Sequence, residues 1–140
     1  MELDKNSIIL ESPARKSKLP KVSIGMPVFN GEKFIRRALD SLLNQTLNDF
    51  ELVISDNAST DGTRRICLEY AARDKRIRYY RNDVSIDAIS NFNRVLYVAR
   101  GKYFMWAAHD DRWESSFVAC MVQSLDSNPQ AVLAFVALPT

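Results

Sequence analysis

Residues 21–45, KVSIGMPVFNGEKFIRRALDSLLNQ, change from one periodicity to another within a single turn. KVSIGMP (21–27) reads as a short buried strand that Pro27 ends, because proline brings no N–H to a ladder. GEKFIRRALDSLLNQ (31–45) then sets Phe34, Ile35, Ala38, Leu39, Leu42 and Leu43 on one helical face. Asn30 stands where a helix N-cap belongs. A buried strand leading into an amphipathic helix is the first half of a strand–helix–strand unit, so the rest of the chain decides whether the unit repeats.

It does repeat. FELVISD (50–56) is a second strand, and NASTDGT is turn and capping chemistry leading into a helix through Arg73, with Ile66, Cys67, Tyr70 and Ala71 inward. RIRYY (76–80) is a third strand. DAISNFNRVLYVAR (87–100) is a helix stopped by Gly101, with Ala88, Ile89, Phe92, Val95, Leu96 and Ala99 expected inward. KYFMWAA (102–108) is a fourth strand. Glu114–Ser127 is a fourth helix with Phe117, Val118, Met121, Val122 and Leu125 inward, and AVLAFV (131–136) reads as a fifth strand. Strict alternation with short loops implies right-handed crossovers and an α/β fold, a mostly parallel sheet with helices on both faces. Residues 1–20, polar and broken by Pro13 and Pro20, are expected to be a disordered tail ahead of one domain over 21–140.

Composition narrows the function. Hydrophobic residues make up 46% of the 140 and charged residues 26%, the balance of a soluble globular protein. A net charge of +2 is too small to argue for nucleic acid or a membrane surface. No apolar run reaches the roughly 18 residues that span a bilayer, and no signal peptide is legible at the start. Cys67 and Cys120 both fall on apolar helical faces, so two buried thiols in a reducing cytoplasm are expected in place of a disulfide. On the same ground the sequons at Asn44 and Asn57 are read as chance.

In such sheets ligands bind beyond the carboxyl ends of the strands, which points to 27–30, 55–61 and 109–111. Asp110 and Asp111 follow the fourth strand directly. One reading makes them a helix cap and a solvated neighbour. The other makes them ligands of a hard divalent cation whose remaining positions go to water and phosphate oxygens. Zinc fits poorly, because His109 is the one histidine and the cysteines lie elsewhere; His109 reads as structural. Asp56 closes the second strand and can face the same crevice, while Asp61 reads as a helix cap. Phe29 leaves the first strand as a loop aromatic, suited either to stack on a flat ring or to pack on the surface. Glycine-rich dinucleotide and P-loop patterns are absent from the sequence.

Taken together, VSIGMPVFNGEKFIRRALDSLLNQT (22–46), FELVISDNASTDGT (50–63) and GKYFMWAAHDD (101–111) resemble the N-terminal half of the family 2 inverting glycosyltransferases, which have the Rossmann-like GT-A fold. The resemblance implies transfer of a sugar from a nucleoside-diphosphate sugar to an acceptor hydroxyl, the acceptor being a saccharide or a lipid-linked one. It places Pro27, Val28 and Phe29 around the nucleoside, Asp56 on the base, Asp110 toward the ribose and sugar phosphate, and Asp111 on Mg²⁺ or Mn²⁺. It also implies a cytoplasmic protein, with a peripheral place at the inner membrane face left open. There are two departures from the family pattern. SIDAISN (85–91) carries Asp87 where the family has a glycine, and the family's general base is expected beyond Thr140. An uncovered C-terminal surface would then drive homo-oligomer formation. The rival reading is a truncated, non-catalytic nucleotide-binding module that self-associates.

Overall fold

The computed structural model describes residues 8–10 and 18–137. Its elements run β1 (Ile8–Leu10), β2 (Val22–Val28), α1 (Ile35–Leu43), β3 (Phe50–Asp56), α2 (Thr63–Arg73), β4 (Ile77–Arg81), α3 (Ala88–Tyr97), β5 (Tyr103–Trp106) and α4 (Phe117–Ser127). The sheet order is β1-β4-β3-β2-β5. β4, β3, β2 and β5 are mutually parallel, as the alternation of elements predicts. β1 adds antiparallel to β4 at the edge.

Period-two alternation divides the sheet into two unlike faces. Val22, Ile24, Met26 and Val28 of β2, Phe50, Leu52 and Ile54 of β3, and Ile77 and Tyr79 of β4 join Ile35, Leu39 and Leu42 of α1, Ile66 and Cys67 of α2, and Val118 and Val122 of α4 in one core. The opposite face is covered by α3 and is partly polar. There Val53, Tyr80 and Val95 pack with Val98 and Phe104. Ser23 donates to Glu51 Oε1 at 2.6 Å and Arg78 Nη1 donates to Glu51 Oε2 at 3.0 Å. Gly25 lets α3 lie close, since a Cβ there would fall 2.7 Å from both Val95 Cγ2 and Phe104 Cζ.

Several expectations are corrected. Pro27 does not end β2, which continues to Val28 in register with Asp56. β5 pairs with β2 only as far as Gly25, so that ladder makes no demand on the N–H that Pro27 lacks. AVLAFV (131–136) is not a strand but irregular and largely exposed, with Phe135 77% accessible. Within the stretch expected to be a disordered tail, Ile8–Leu10 form β1 and Pro20 is buried; the rest of that expectation falls on residues 1–7 and 11–17, outside the described set. On α3 the inward residues are Asn91 and Val95, while Ile89, Phe92 and Leu96 are exposed. The reason is polar: Asn91 Nδ2 donates to Ser55 O at 3.1 Å and its Oδ1 accepts from Ser55 Oγ at 2.8 Å, which turns the helix so that Asn91 faces the sheet. Cys67 is buried as expected and Cys120 is exposed, both as free thiols.

The N-termini of α1 and α2 cap each other. Gly31 N donates to Thr63 Oγ1 at 2.8 Å and Glu32 N to Asp61 Oδ2 at 3.1 Å. In return Gly62 N donates to Glu32 Oε2 at 2.9 Å, and Asp61 Oδ1 accepts from Thr63 N at 3.0 Å. Burial works to raise the Asp61 carboxyl, but these hydrogen bonds outweigh it and hold the group below the usual carboxylate range. Asp61 is thus the cap expected of it. Asn30 is not: it sits at φ 50°, accepts from Thr60 N at 2.8 Å and receives no amide of α1.

Candidate functional site

Strand order reverses at β2: chain succession runs outward through β3 and β4, then returns to place β5 on the other side. The loops leaving β2, β3 and β5 therefore meet at the carboxyl edge where an open parallel sheet presents a crevice. Hydrogen bonds tie two of them together. Asn30 N donates to Ser59 Oγ at 2.9 Å while Asn30 Oδ1 receives Thr60 N. The third loop closes against the first, with the His109 ring so near Gly31 that a Cβ on Gly31 would lie 2.7 Å from His109 Cδ2. The His109 ring thus lies packed against Gly31 at the junction of the two loops.

Val28 and Asp56 are neighbours in the β2–β3 register, with Pro27 beside Ser55. Pro27 and Val28 are buried, and Phe29 immediately beyond them is 51% exposed at the loop surface. Asp56 is wholly buried, with 0% exposure. Its Oδ1 accepts from Ser59 N at 2.9 Å, and its Oδ2 accepts from Tyr79 Oη at 2.6 Å and Arg81 Nη1 at 2.7 Å. Arg81 Nη2 also reaches Ser59 O at 3.0 Å. Desolvation pulls the Arg81 guanidinium down, but the Asp56 charge and the Tyr79 hydrogen bond exceed it and raise the group. Burial, then the hydrogen bond to Asp56, pushes the Tyr79 phenol far up. Asp56 is therefore a fixed carboxylate at the strand end, with each oxygen already accepting from the protein.

The loop after β4 is fixed by side-chain amides. Asn57 accepts from Ile86 N at 2.8 Å and donates to Ile86 O at 2.7 Å, and Asn82 Nδ2 donates to Asn57 Oδ1 at 2.9 Å. Asp87, at the family's glycine position, caps α3 by accepting from Ser90 N at 2.9 Å. Hydrogen bonding from the Ser90 side chain first, and from its backbone N–H next, lowers the carboxyl below its ordinary range.

Asp110 and Asp111 follow β5 in an exposed turn, with Asp111 N donating to Ala108 O at 3.3 Å. Neither caps α4, which starts at Phe117. Among the described residues neither carboxylate is in a hydrogen bond or ion pair, in contrast to Asp56 and Asp61. The pair offers hard oxygen donors. No group of three or more His, Cys, Asp or Glu able to hold a metal gathers among the described residues, so there is no all-protein cage. Two carboxylates without such a cage suit Mg²⁺ or Mn²⁺ completed by water and phosphate oxygens, and they do not suit structural zinc.

The sequence reading missed Tyr79, Arg81, Asn57, Asn82 and Ser59. Tyr79 and Arg81 had a legible signal, an alternate-residue pair on β4, but their partner lies on another strand. A separate groove of about 540 Å³ opens between α1 and the segment after Asp111, lined by Arg37, Ser41, Asn44, Arg112 and Trp113 among others.

Comparison with known proteins places this geometry. The description of glycosyl transferase family 2 matches residues 23–138. An uncharacterized glycosyltransferase of Rickettsia typhi is 36% identical over 92 residues, which is 66% of this chain and 28% of that protein. The crystal structure of Staphylococcus aureus TarS residues 1–349 in complex with UDP superposes with a TM-score of 0.72 at 25% identity, covering 78% of this chain and 33% of that one. A mannosyltransferase of Pyrobaculum calidifontis, solved in complex with GDP-Man and Mn²⁺, shares the fold with a TM-score of 0.70 at 24% identity, covering 78% of this chain and 33% of its own. The chain thus spans about a third or less of the length of the proteins it matches. Sequence and fold agree, and the chain belongs to glycosyl transferase family 2.

Proposed function

We propose that residues 21–140 form a nucleoside-diphosphate-sugar-binding domain of an inverting glycosyltransferase, working with Mg²⁺ or Mn²⁺. The observation that carries this is the pairing of two kinds of carboxylate at one sheet edge. Asp56 is buried and fixed by three donors, whereas the exposed Asp110 and Asp111 carboxylates have no partner among the described residues. A carboxylate held by Arg81 accepts hydrogen bonds and donates none, so toward a nucleobase it suits the imino N–H of uracil, thymine or guanine. Pro27 and Val28 would wall the nucleoside pocket and Phe29 would stack on the base. Asp110 would face the ribose and sugar phosphate.

Asp111, with Asp110 beside it, would hold the cation. Bound there, a divalent ion supplies Lewis-acid neutralisation of the departing diphosphate. In the transfer, the acceptor hydroxyl oxygen bonds to the sugar's anomeric carbon as the bond to the diphosphate oxygen breaks. The hydroxyl proton passes to a general base, which this reading assigns to the acceptor-binding half of the protein. The acceptor is a hydroxyl of a saccharide or of a lipid-linked one. The free thiols of Cys67 and Cys120 fit a reducing, cytoplasmic setting. Among the described residues no helix is long and apolar enough to cross a membrane.

One observation favours a second reading. Ile89, Phe92, Leu96 and Trp106 on α3 and β5, and Val132, Leu133, Phe135 and Val136 near the C-terminus, leave large apolar side chains exposed. This suits a binding module that self-associates through that surface without catalysing transfer.

Calorimetric titration with UDP, TDP and GDP, with and without Mn²⁺, tests the first reading, and the UDP bound to TarS makes UDP the first ligand to try. Manganese-dependent binding of one of them, abolished in Asp111→Ala, is the expected result. Metal-independent binding that survives Asp111→Ala would overturn the assignment of the cation to Asp111. No binding of any of the three by folded protein would overturn the nucleotide site.

A further inference from the structure

The acidic pair sits in a segment with little secondary structure of its own: between β5 and α4, residues 107–116 contain only turns and irregular backbone. Such a segment needs outside support to present two carboxylates in one geometry. The support comes from one stretch of chain, residues 37–46, which runs from the first turn of α1 to just past its carboxyl end. Arg37 Nη2 donates to Asp110 O at 3.0 Å, and Ser41 Oγ accepts from Trp113 N at 3.3 Å. Thr46 N donates to Ser115 O at 2.8 Å. At the centre is Gln45, only 3% exposed. Its Nε2 donates to Glu114 O at 2.7 Å and to Ser41 O at 3.2 Å, and its Oε1 accepts from Val118 N at 2.9 Å.

Gln45 thus grips the segment on both sides of Ser115–Ser116 and satisfies an amide in the first turn of α4. This matters because the Ser116 side chain at the helix start makes no cap hydrogen bond. A buried amide with both ends engaged is costly to remove, since each partner left behind is a buried group without its bond.

We infer that Gln45 is a positioning residue for the acidic pair: it fixes the 110–118 segment so that Asp110 and Asp111 are held ready for the cation. The inference rests on the proposed role of that pair, and residues that orient ligating groups typically control metal affinity strongly. It places a determinant of metal binding more than sixty positions upstream of the carboxylates, just beyond the carboxyl end of α1.

The test uses the whole chain and two independent readouts. Gln45→Met keeps the side-chain volume and removes all three hydrogen bonds; Gln45→Glu keeps the acceptor for Val118 N and loses the donor to Glu114 O and Ser41 O. Ser23→Ala, at the opposite end of the sheet, serves as a control for general destabilisation. Amide hydrogen exchange over 110–118 is expected to accelerate roughly tenfold in Gln45→Met and at least as much in Gln45→Glu, which sets a buried carboxylate against the Glu114 and Ser41 carbonyl oxygens, while β2 and β3 amides stay as in wild type. Mn²⁺ affinity in the presence of UDP is expected to fall roughly tenfold in Gln45→Met. Ser23→Ala should lower the thermal midpoint and move neither readout. Unchanged exchange over 110–118 would overturn the inference, and so would an unchanged Mn²⁺ affinity. If wild type binds no Mn²⁺, the proposed function falls, and the exchange measurement still decides whether Gln45 holds the segment.

Discussion

Replacing Asp56 by Asn exchanges one carboxylate oxygen for an NH₂ in a pocket built entirely of donors. If the NH₂ takes the Oδ1 position it faces Ser59 N–H, and if it takes the Oδ2 position it faces Arg81 Nη1. Only Tyr79 Oη can reverse and accept. At least one buried N–H therefore loses its acceptor, and the Arg81 guanidinium loses its counter-charge. Breaking a buried ion pair costs about 3–5 kcal/mol. The Arg81 side chain is 21% exposed, so water screens part of the loss and the low end, about 3 kcal/mol, is the expected value. Against a total stability of about 5–15 kcal/mol this is a large fraction. Urea unfolding followed by far-ultraviolet circular dichroism measures it, with Asp110→Asn as the control. Asp110 is exposed and its carboxylate has no partner among the described residues, so its change should stay within about 0.5 kcal/mol. An Asp56→Asn variant as stable as wild type would refute the view that these donors define the carboxylate.

Tyr79→Phe removes one of those donors and should cost about 1–2 kcal/mol at neutral pH. Because the folded phenol is raised above its unfolded pKa of about 10, the native state holds its proton longer, and this stabilisation is lost as pH rises above about 10. The wild type should therefore lose stability more steeply than Tyr79→Phe between pH 10 and 11.5 in urea midpoints; parallel curves would refute the link. Ala58 holds φ 58°, where a Cβ costs about 1–2 kcal/mol, so Ala58→Gly should gain about 0.5–1 kcal/mol after its own entropy cost, read as a higher thermal midpoint. The exposed Leu133 and Phe135 should drive self-association in sedimentation velocity as concentration rises, relieved in Leu133→Asp/Phe135→Asp. A single monomeric boundary throughout would refute that reading.

The parallel sheet was legible because each strand–helix pair announced itself locally: β2 in SIGM, α1 in its apolar face, β3 in FELVIS. Less legible was anything decided by what covers what. The apolar residues of α3 promised an inward stripe through Ile89, Phe92 and Leu96, yet Ser55 on β3 draws Asn91 inward and turns that stripe to solvent. A helical periodicity says that a face exists and not which neighbour claims it. AVLAFV has strand composition, but composition cannot supply a pairing partner, and the segment stays irregular. At the site, Asp56, Asp110 and Asp111 could be picked out as carboxylates at strand ends. That Asp56 would be enclosed by Tyr79 and Arg81, and the other two left open, depends on the β3–β4 register and on the length of the turn after β5. Gln45 went unmarked for the same reason: an amide at the end of a helix looks like a solvated residue until the segment it holds is in place.

The mutual capping of α1 and α2 bears on where a phosphate can sit. In many parallel sheets an anion rests on a helix N-terminus, drawn by free amides and the positive end of the helix dipole. Here Glu32 and Asp61 already accept from Glu32 N, Gly62 N and Thr63 N at the entry to α1 and the start of α2, so these amides are not free for a diphosphate. A nucleotide entering this edge finds those backbone amides already engaged, with Arg65 beside Glu32 offsetting part of the carboxylate charge. Its charge must be balanced from the opposite side of β2, and this should make affinity depend steeply on cation concentration, in contrast to sheets whose backbone supplies the anion seat.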